Sequence, residues 1–259
     1  MKKIISILAV AIGLLRMQNV TAQGYDFSYQ DNNTTLKGYY CKPKAKGVSK
    51  IPGVIILHAW TGITDHEKNT ASILAQYGYH ALAADIYGSK DQPANTKEAG
   101  AVSARYKKDY VTYQSRIRAA INALIKQGAD ADNIVIIGYC FGGTGALEAA
   151  RGGLPVKGVV CVHGGLGKDS SRNNIPIKPA VLVLHGADDP HVSEKEIKSF
   201  QQEMRSSKAD WQMIYFANAV HAFTDPAAGN DNSKGAAYNK QADERSWQYL
   251  LQFLKEVFQ

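Results

Sequence analysis

The sequence predicts an α/β fold in which helices cover both faces of a mostly parallel, doubly wound sheet. Short runs rich in valine and isoleucine alternate along the chain with amphipathic helical stretches, and this alternation is typical of βαβ units. The runs are apolar almost throughout, as strands that are buried on both faces require. No repeat or low-complexity linker interrupts the pattern, so residues 23–259 are predicted to form one domain without a large cap domain.

The individual elements follow from the hydrophobic periodicity. Residues 35–41 mix polar and apolar side chains and are predicted to form an edge strand. Continuous apolar composition predicts buried strands at 53–57, 80–84, 134–137, 156–162 and 180–184, and residues 211–216 are strand-like. Helical periodicity predicts helices at 65–77, 102–127, 141–151, 194–206 and 241–257. The first helix has a capping box, Thr64 with Glu67, and Gly78 stands where a left-handed cap is expected.

The first 22 residues are predicted to be a signal peptide. Two lysines precede an apolar run at residues 4–15, and the small residues at 20–22 provide a cleavage site, so we expect cleavage before Gln23. A membrane-spanning helix needs about 20 apolar residues, and this run is shorter, so a retained anchor is the less favoured alternative. The mature protein is expected in the periplasm or outside the cell, with no membrane association after cleavage.

Composition limits the classes of partner. The net charge is +7, and removing the first 22 residues lowers it by three. The basic residues are scattered and form no stripe with interleaved aromatic side chains, so a nucleic-acid partner is not expected. Three cysteines do not make a disulfide framework, and Cys41 and Cys161 lie in apolar segments typical of buried thiols. We expect a monomer or a weak homodimer.

The motif Gly-Tyr-Cys-Phe-Gly at residues 138–142 stands between a predicted strand and a predicted helix. This is the strand–turn–helix setting of a nucleophile elbow, in which side chains at Gly138 and Gly142 would collide with neighbouring backbone. A thiol at a helix N-terminus is also stabilised as thiolate. Cys140 is therefore the predicted nucleophile. The alternative is a helix-capping turn that carries a structural thiol.

The predicted base and acid come later in the chain, in the order nucleophile, acid, histidine that this elbow requires. Asp188 and Asp189 both follow the strand at 180–184, and the spacing from Gly186 favours Asp189. His221 follows the strand-like segment 211–216 and is the predicted base. His191 is held in reserve for that role.

The oxyanion that forms during acyl transfer needs two N–H donors. The amide of Phe141, the residue after the nucleophile, is the first candidate, and the amide of Trp60 in the loop 58–62 is the second. Tyr139 and Phe223 are expected to line the substrate pocket together with Ala59. The histidines show no spacing typical of metal ligands, and the glycines after residue 163 lack a dinucleotide-binding pattern. Neither a metal nor an organic cofactor is expected.

At these residues the chain resembles the dienelactone hydrolase family, the carboxymethylenebutenolidase-like α/β-hydrolases with a cysteine nucleophile. The elbow at 138–143, the acid loop at 185–192, the histidine loop at 220–223 and the segment 77–88 carry the likeness, which covers nearly all of the sequence after residue 22. The resemblance implies an α/β-hydrolase fold, a triad of Cys140, Asp189 and His221, and no cofactor.

Two positions depart from the family's pattern. Well-studied members carry a glutamate in the oxyanion loop where this chain has Ala59, so we expect Cys140 to be activated by His221 directly or by the helix terminus. Those members also carry an arginine where this chain has Asp225. Arg105 is a candidate for another positive contact in the pocket, and a solvated helix face explains it equally well. The substrate is therefore expected to be uncharged.

The sequence thus predicts hydrolysis of a small ester or lactone through a covalent acyl-enzyme. Two alternatives remain open. A binding protein that kept the fold and lost the chemistry is favoured by Ala59 and Asp225, and a thiol peptidase could use the same triad.

Overall fold

The computed structural model describes residues 24–44 and 50–259, so the predicted signal peptide lies outside the described residues. The strands of the described chain are β1 (Gly24–Asp31), β2 (Thr34–Cys41), β3 (Ile51–Leu57), β4 (His80–Ala84), β5 (Ala129–Tyr139), β6 (Gly158–Val162), β7 (Ala180–Gly186) and β8 (Trp211–Phe216). Its α-helices are α1 (Asp65–Gln76), α2 (Thr96–Lys108), α3 (Tyr110–Lys126), α4 (Phe141–Arg151), α5 (Glu194–Ser206) and α6 (Lys240–Val257). Two short 3-10 helices, Pro226–Ala228 and Asn232–Lys234, precede α6.

These strands form one sheet in the order β1-β2-β4-β3-β5-β6-β7-β8. The strands from β4 to β8 in that order pair in parallel. At one edge β1 and β2 run antiparallel to their neighbours. The predicted mostly parallel, doubly wound sheet is confirmed.

The edge of the sheet differs from the prediction. β1 is absent from the predicted elements, and β2, expected at the edge, is the second strand. β1 leaves most of its side chains exposed or half-buried, because an edge strand that packs on one face needs no continuous apolar run. Asn32, in the turn that joins β1 to β2, has φ 50°, a left-handed conformation that asparagine tolerates.

Helices cover both faces of the sheet, as predicted. Ile56 of β3 points into an apolar cluster with Leu74 of α1 and Leu254 of α6. Its neighbour Ile55 points into a second cluster, which includes Phe200 of α5 and residues of α2, α3 and α4. Successive residues of one strand thus feed two separate cores, which explains why the central strands are apolar throughout.

One predicted helix is two helices in the structure. The segment 102–127 divides at Asp109, whose φ of −90° and ψ of 67° interrupt α2 and α3. The Asp109 carboxylate accepts the Thr112 N–H at 3.1 Å, so it caps the second helix instead of continuing the first. The capping box of Thr64 and Glu67 is confirmed. No α-helix in the described ranges is long and apolar enough to cross a membrane.

Candidate active site

Cys140 occupies the sharp turn between β5 and α4. Its φ of 53° and ψ of −110° are strained for a residue that carries a Cβ. A Cβ on Gly138 would lie 1.8 Å from the Gly142 carbonyl oxygen, and a Cβ on Gly142 would lie 2.3 Å from the Leu57 carbonyl oxygen. Both glycines are therefore required by backbone contact, and the turn has the predicted elbow geometry. The contact with Leu57 also places the elbow against the end of β3.

Asp189 and His221 lie together at the carboxyl ends of β7 and β8. His221 Nδ1 is 2.8 Å from Asp189 Oδ2, and the other carboxylate oxygen accepts the His191 N–H at 2.8 Å. Burial would raise the pKa of the Asp189 carboxyl, but the hydrogen bond and the charge of His221 lower it below its ordinary value. Asp188 is exposed to solvent. The structure therefore brings Asp189, the predicted choice, to the histidine.

Cys140 and His221 interact as an acid–base pair. Burial alone would raise the pKa of the Cys140 thiol, but the neighbouring His221, followed by the charge of Lys107 and the Phe141 amide, lowers it. Burial lowers the pKa of His221, but its hydrogen bond to Asp189 and the neighbouring Cys140 raise it to about 9. Both shifts favour a thiolate beside an imidazolium at neutral pH.

The rings of two further histidines pack against His221. Ring centroids lie 5.3 Å away for His163 and 5.1 Å away for His191. Burial, together with the charge of His221, holds the pKa of His163 well below its ordinary value, and its Nε2 pairs with Thr224 Oγ1 at 2.9 Å. His191, the reserve base, donates its backbone N–H to Asp189 and stands beside the predicted base.

The two predicted oxyanion donors stand at adjoining loops. Phe141 begins α4, so its N–H lies in the first turn of the helix, without an intrahelical partner, next to Cys140. Trp60 follows β3, and its N–H has no acceptor within the part of the chain that the structure describes. The Trp60 side chain is 38% exposed and lies over Gly100 of α2. Both amides are therefore available to a ligand.

Two of the four residues predicted to line the substrate pocket, Phe223 and Arg105, lie elsewhere. Phe223 is fully buried against Phe216 and His163, so the prediction that it contacts substrate is wrong, because its side chain points into the core. Arg105 pairs with Asp91 at 2.7 Å on an exposed face of α2, which supports the solvated-face explanation.

The other two predicted pocket residues lie near the site. Ala59 is half-buried, and its N–H donates to Glu67 Oε1 at 3.1 Å. Tyr139 is nearly buried, and its hydroxyl is 3.3 Å from Thr70 Oγ1. Tyr139 also lines a groove of about 960 Å³ between α1 and α6.

A smaller cleft of about 320 Å³ lies on the side of the triad where His191 packs against His221. Thr144, one helical turn beyond Cys140, lines it together with His191, Lys107 and Arg172. This volume is at the lower end of what small-molecule sites enclose. The cleft is a candidate approach to the triad; neither Cys140 nor His221 lines it, and its size fits a small ligand.

Several residues near this site were not assigned to it from sequence. His58 and Tyr87 contact the oxyanion loop, and Lys107 acts on the thiol. Glu67 is recognisable in sequence only as part of a capping box. The roles of His58, Tyr87 and Lys107 depend on contacts between residues far apart in the sequence, which no local pattern indicates. The described residues contain no group of three or more His, Cys, Asp or Glu side chains that could hold a metal ion.

Comparison with known proteins gives a family and a fold. A model of the dienelactone hydrolase family matches residues 36–258. A crystal structure described as a dienelactone hydrolase-like promiscuous phosphotriesterase from metagenomic libraries is 36% identical, with a TM-score of 0.85 over 92% of this chain and 99% of that one. A protein of Bradyrhizobium sp named "Probable 2-oxo-3-(5-oxofuran-2-ylidene)propanoate lactonase" is 27% identical over 86% of this chain and 90% of its own length. The dienelactone hydrolase of Anabaena variabilis, 21% identical with a TM-score of 0.60 over 80% of this chain and 92% of that one, shares the fold.

Proposed function

This chain belongs to the dienelactone hydrolase family and is an ester or lactone hydrolase. We propose that Cys140 is its nucleophile and His221 its acid–base group, and that Asp189 orients His221 and stabilises its imidazolium form. The observation that carries the proposal is the 2.8 Å contact between His221 Nδ1 and Asp189 Oδ2, in a site where His221 also lowers the pKa of the elbow thiol. This arrangement is the one that nucleophilic catalysis requires.

The first half of the reaction forms a thioester. The Cys140 thiolate attacks the carbonyl carbon of the substrate, and the electron pair of the C=O bond moves to oxygen. The N–H groups of Phe141 and Trp60 stabilise this oxyanion. When the intermediate collapses, the carbon–alkoxide bond breaks, and His221 transfers its Nε2 proton to the leaving oxygen. The products are an acylated cysteine and an alcohol, which stays attached to the acyl group when the substrate is a lactone.

The second half releases the acid. His221, now with an unprotonated Nε2, accepts a proton from a water molecule as that water attacks the thioester carbon. The same two amides hold the second oxyanion, and its collapse expels the Cys140 thiolate. The imidazolium and thiolate are restored together, and Asp189 stabilises the imidazolium in both halves of the cycle.

The cleft favours a small neutral substrate. Three Lys or Arg and three Asp or Glu side chains line it, so their formal charges balance, and Arg172 pairs with Glu148 at 2.8 Å. Asp225, on which the expectation of an uncharged substrate was based, caps the 3-10 helix Pro226–Ala228 through the Ala227 N–H and lines the groove between α1 and α6. The expected preference for a neutral ester therefore depends on the balanced charges of the cleft. Comparing the hydrolysis rates of an aryl ester and its carboxylated analogue measures this preference.

The nucleophile is tested by substitution. Cys140→Ala should abolish hydrolysis of short aryl esters, because no other group in the site can form the thioester. Cys41→Ala is the matched control, since Cys41 is buried in β2 and remote from the elbow, and it should keep the unmodified rate. Equal rates for Cys140→Ala and the unmodified protein would falsify the assignment.

Two other activities are measured in the same experiment. Hydrolysis of phosphotriesters is a second candidate, because the 36% identical structure is described as a promiscuous phosphotriesterase, and a thiolate can attack phosphorus as it attacks carbonyl carbon. A peptide panel tests the thiol peptidase alternative. Rates on esters that exceed those on peptides and phosphotriesters support the ester or lactone assignment.

We also propose export, directed by residues 1–22. The support is the basic start, the short apolar run and the small residues before Gln23. After expression of the full chain in a Gram-negative host, N-terminal sequencing of periplasmic protein should begin at Gln23. Uncleaved protein confined to the cytosol contradicts the proposal.

A further inference from the structure

Two buried side chains fix the peptide groups on either side of Trp60. His58 Nδ1 donates to the Ala59 carbonyl oxygen at 2.6 Å, and Tyr87 Oη donates to the Trp60 carbonyl oxygen at 2.8 Å. The Ala59 carbonyl and the Trp60 N–H belong to one planar peptide group, so the bond from His58 also sets the direction of that N–H. Within residues 24–44 and 50–259, the Trp60 N–H is left without an acceptor.

His58 bridges the oxyanion loop to the segment after β4. It is fully buried, and its Nε2 accepts the Ile86 N–H at 3.2 Å. A backbone N–H can only donate, so Nε2 is the unprotonated nitrogen and Nδ1 carries the ring proton that bonds the Ala59 carbonyl. The two bonds use both ring nitrogens and leave His58 a single orientation.

Tyr87 connects the two loops that carry the oxyanion amides. It is fully buried, and its ring centroid lies 4.7 Å from that of His58 and 5.3 Å from that of Phe141. Its hydroxyl has the Trp60 carbonyl as partner. A second buried tyrosine, Tyr113, makes the corresponding bond to the Phe141 carbonyl at 2.9 Å.

We propose that His58 and Tyr87 are positioning residues that hold the Trp60 N–H ready as the second oxyanion donor. The inference rests on the proposed function, since an oxyanion forms only if a nucleophile attacks the substrate. Donors that are fixed before the reaction need no reorganisation in the transition state, and this is the main source of their effect on rate. Losing the His58 bond frees the peptide group that carries the Trp60 N–H. Losing the Tyr87 bond frees the next peptide group, and its rotation about the Trp60 Cα displaces the same N–H from the developing charge.

Tyr87→Phe tests the proposal, because it removes one hydrogen bond and keeps the ring. We expect kcat for a neutral aryl ester to fall roughly tenfold and KM to stay within about twofold, since the lost interaction acts in the transition state. Alkylation of Cys140 by iodoacetamide should keep its rate and its pH profile, because displacement of iodide creates no oxyanion. A residue that only supported the fold would not separate these two reactions.

Tyr40→Phe is the matched control. The Tyr40 hydroxyl also makes a hydrogen bond from a buried ring, to His80 Nδ1 at 2.7 Å, but this pair lies at the start of β4 and bonds neither the oxyanion loop nor His58. This variant should retain the unmodified kcat. The inference is overturned if Tyr87→Phe keeps the unmodified kcat, or if its hydrolysis and alkylation rates fall in parallel.

A substitution at His58 keeps the proposal testable if Tyr87→Phe does not fold. Glutamine can donate to the Ala59 carbonyl and accept the Ile86 N–H, so His58→Gln should keep kcat within about threefold, whereas His58→Leu should lose roughly tenfold or more. Folded His58→Gln with less than about a tenth of the unmodified kcat contradicts the inference.

Failure of the inference and failure of the proposed function are distinguishable. If the Cys140→Ala protein is active, the proposed function is wrong. If the Cys140→Ala protein is inactive but the Tyr87→Phe protein is fully active, only the inference about positioning is wrong.

Discussion

Replacing Asp189 by asparagine should narrow the pH range of activity from both sides. Asparagine keeps the shape of the side chain and removes the negative charge 2.8 Å from His221 Nδ1. In the intact site, burial lowers the pKa of His221, but the hydrogen bond to Asp189 and the neighbouring Cys140 outweigh it and raise this pKa from 6.5 to about 9. At 1.36 kcal/mol per pKa unit, this corresponds to roughly 3 kcal/mol of net stabilisation of the imidazolium.

The loss in rate follows from that energy. If Asp189 provides between half and all of it, kcat/KM falls roughly 10- to 150-fold. The basic limb of the profile moves down from about pH 9, because the imidazolium loses its proton earlier. The acid limb moves up, because the low pKa of the Cys140 thiol depends on the charge of His221.

The assay compares hydrolysis of p-nitrophenyl acetate and alkylation by iodoacetamide between about pH 5 and about pH 10. Asp188→Asn is the control, since Asp188 is the exposed neighbour in the same loop, and it should leave both profiles unchanged. The reasoning is refuted if Asp189→Asn keeps its basic limb near pH 9, or if Asp188→Asn loses as much activity.

Three further substitutions test separate parts of the account. Lys107→Met should raise the pKa of the Cys140 thiol, because it removes a positive charge that lowers this pKa; the alkylation profile measures this, and the difference should vanish in high salt, since Lys107 is exposed and its field is screened. Ala59→Glu should slow hydrolysis, since a carboxylate beside the thiolate repels it; faster turnover would count against activation of the thiol by His221. Arg151→Met should destabilise the fold by about 3–5 kcal/mol, because it leaves the buried Glu203 carboxylate, now 2.8 Å from Arg151, without its partner; an unchanged thermal midpoint would contradict this.

Local sequence rules were sufficient where function depends on a short segment. The elbow is an example, because the need for Gly138 and Gly142 arises from contacts that any tight strand–turn–helix makes. Asp189 and His221 could be chosen because each follows a recognisable strand, and the ends of parallel strands meet at one edge of the sheet.

The sequence was insufficient where a polar side chain or a long-range contact decides the structure. Asp109 ends one helix by capping the next, although the apolar periodicity continues across it. β1 pairs only at an edge and so lacks the apolar run of a central strand. Phe223 follows the histidine closely, but only the packing of the loop shows that it points inward. Tyr87 contacts Trp60 across 27 residues, and no local pattern indicates such a bond.

Acid-quenched mass spectrometry tests the central claim most directly. The protein is mixed with p-nitrophenyl acetate, quenched within the first turnover and digested. The peptide containing Cys140 should gain the mass of one acetyl group in place of one hydrogen, and a brief treatment with hydroxylamine should remove it. Rapid hydrolysis with every cysteine unmodified, or with acetyl found only on another residue, would contradict the account.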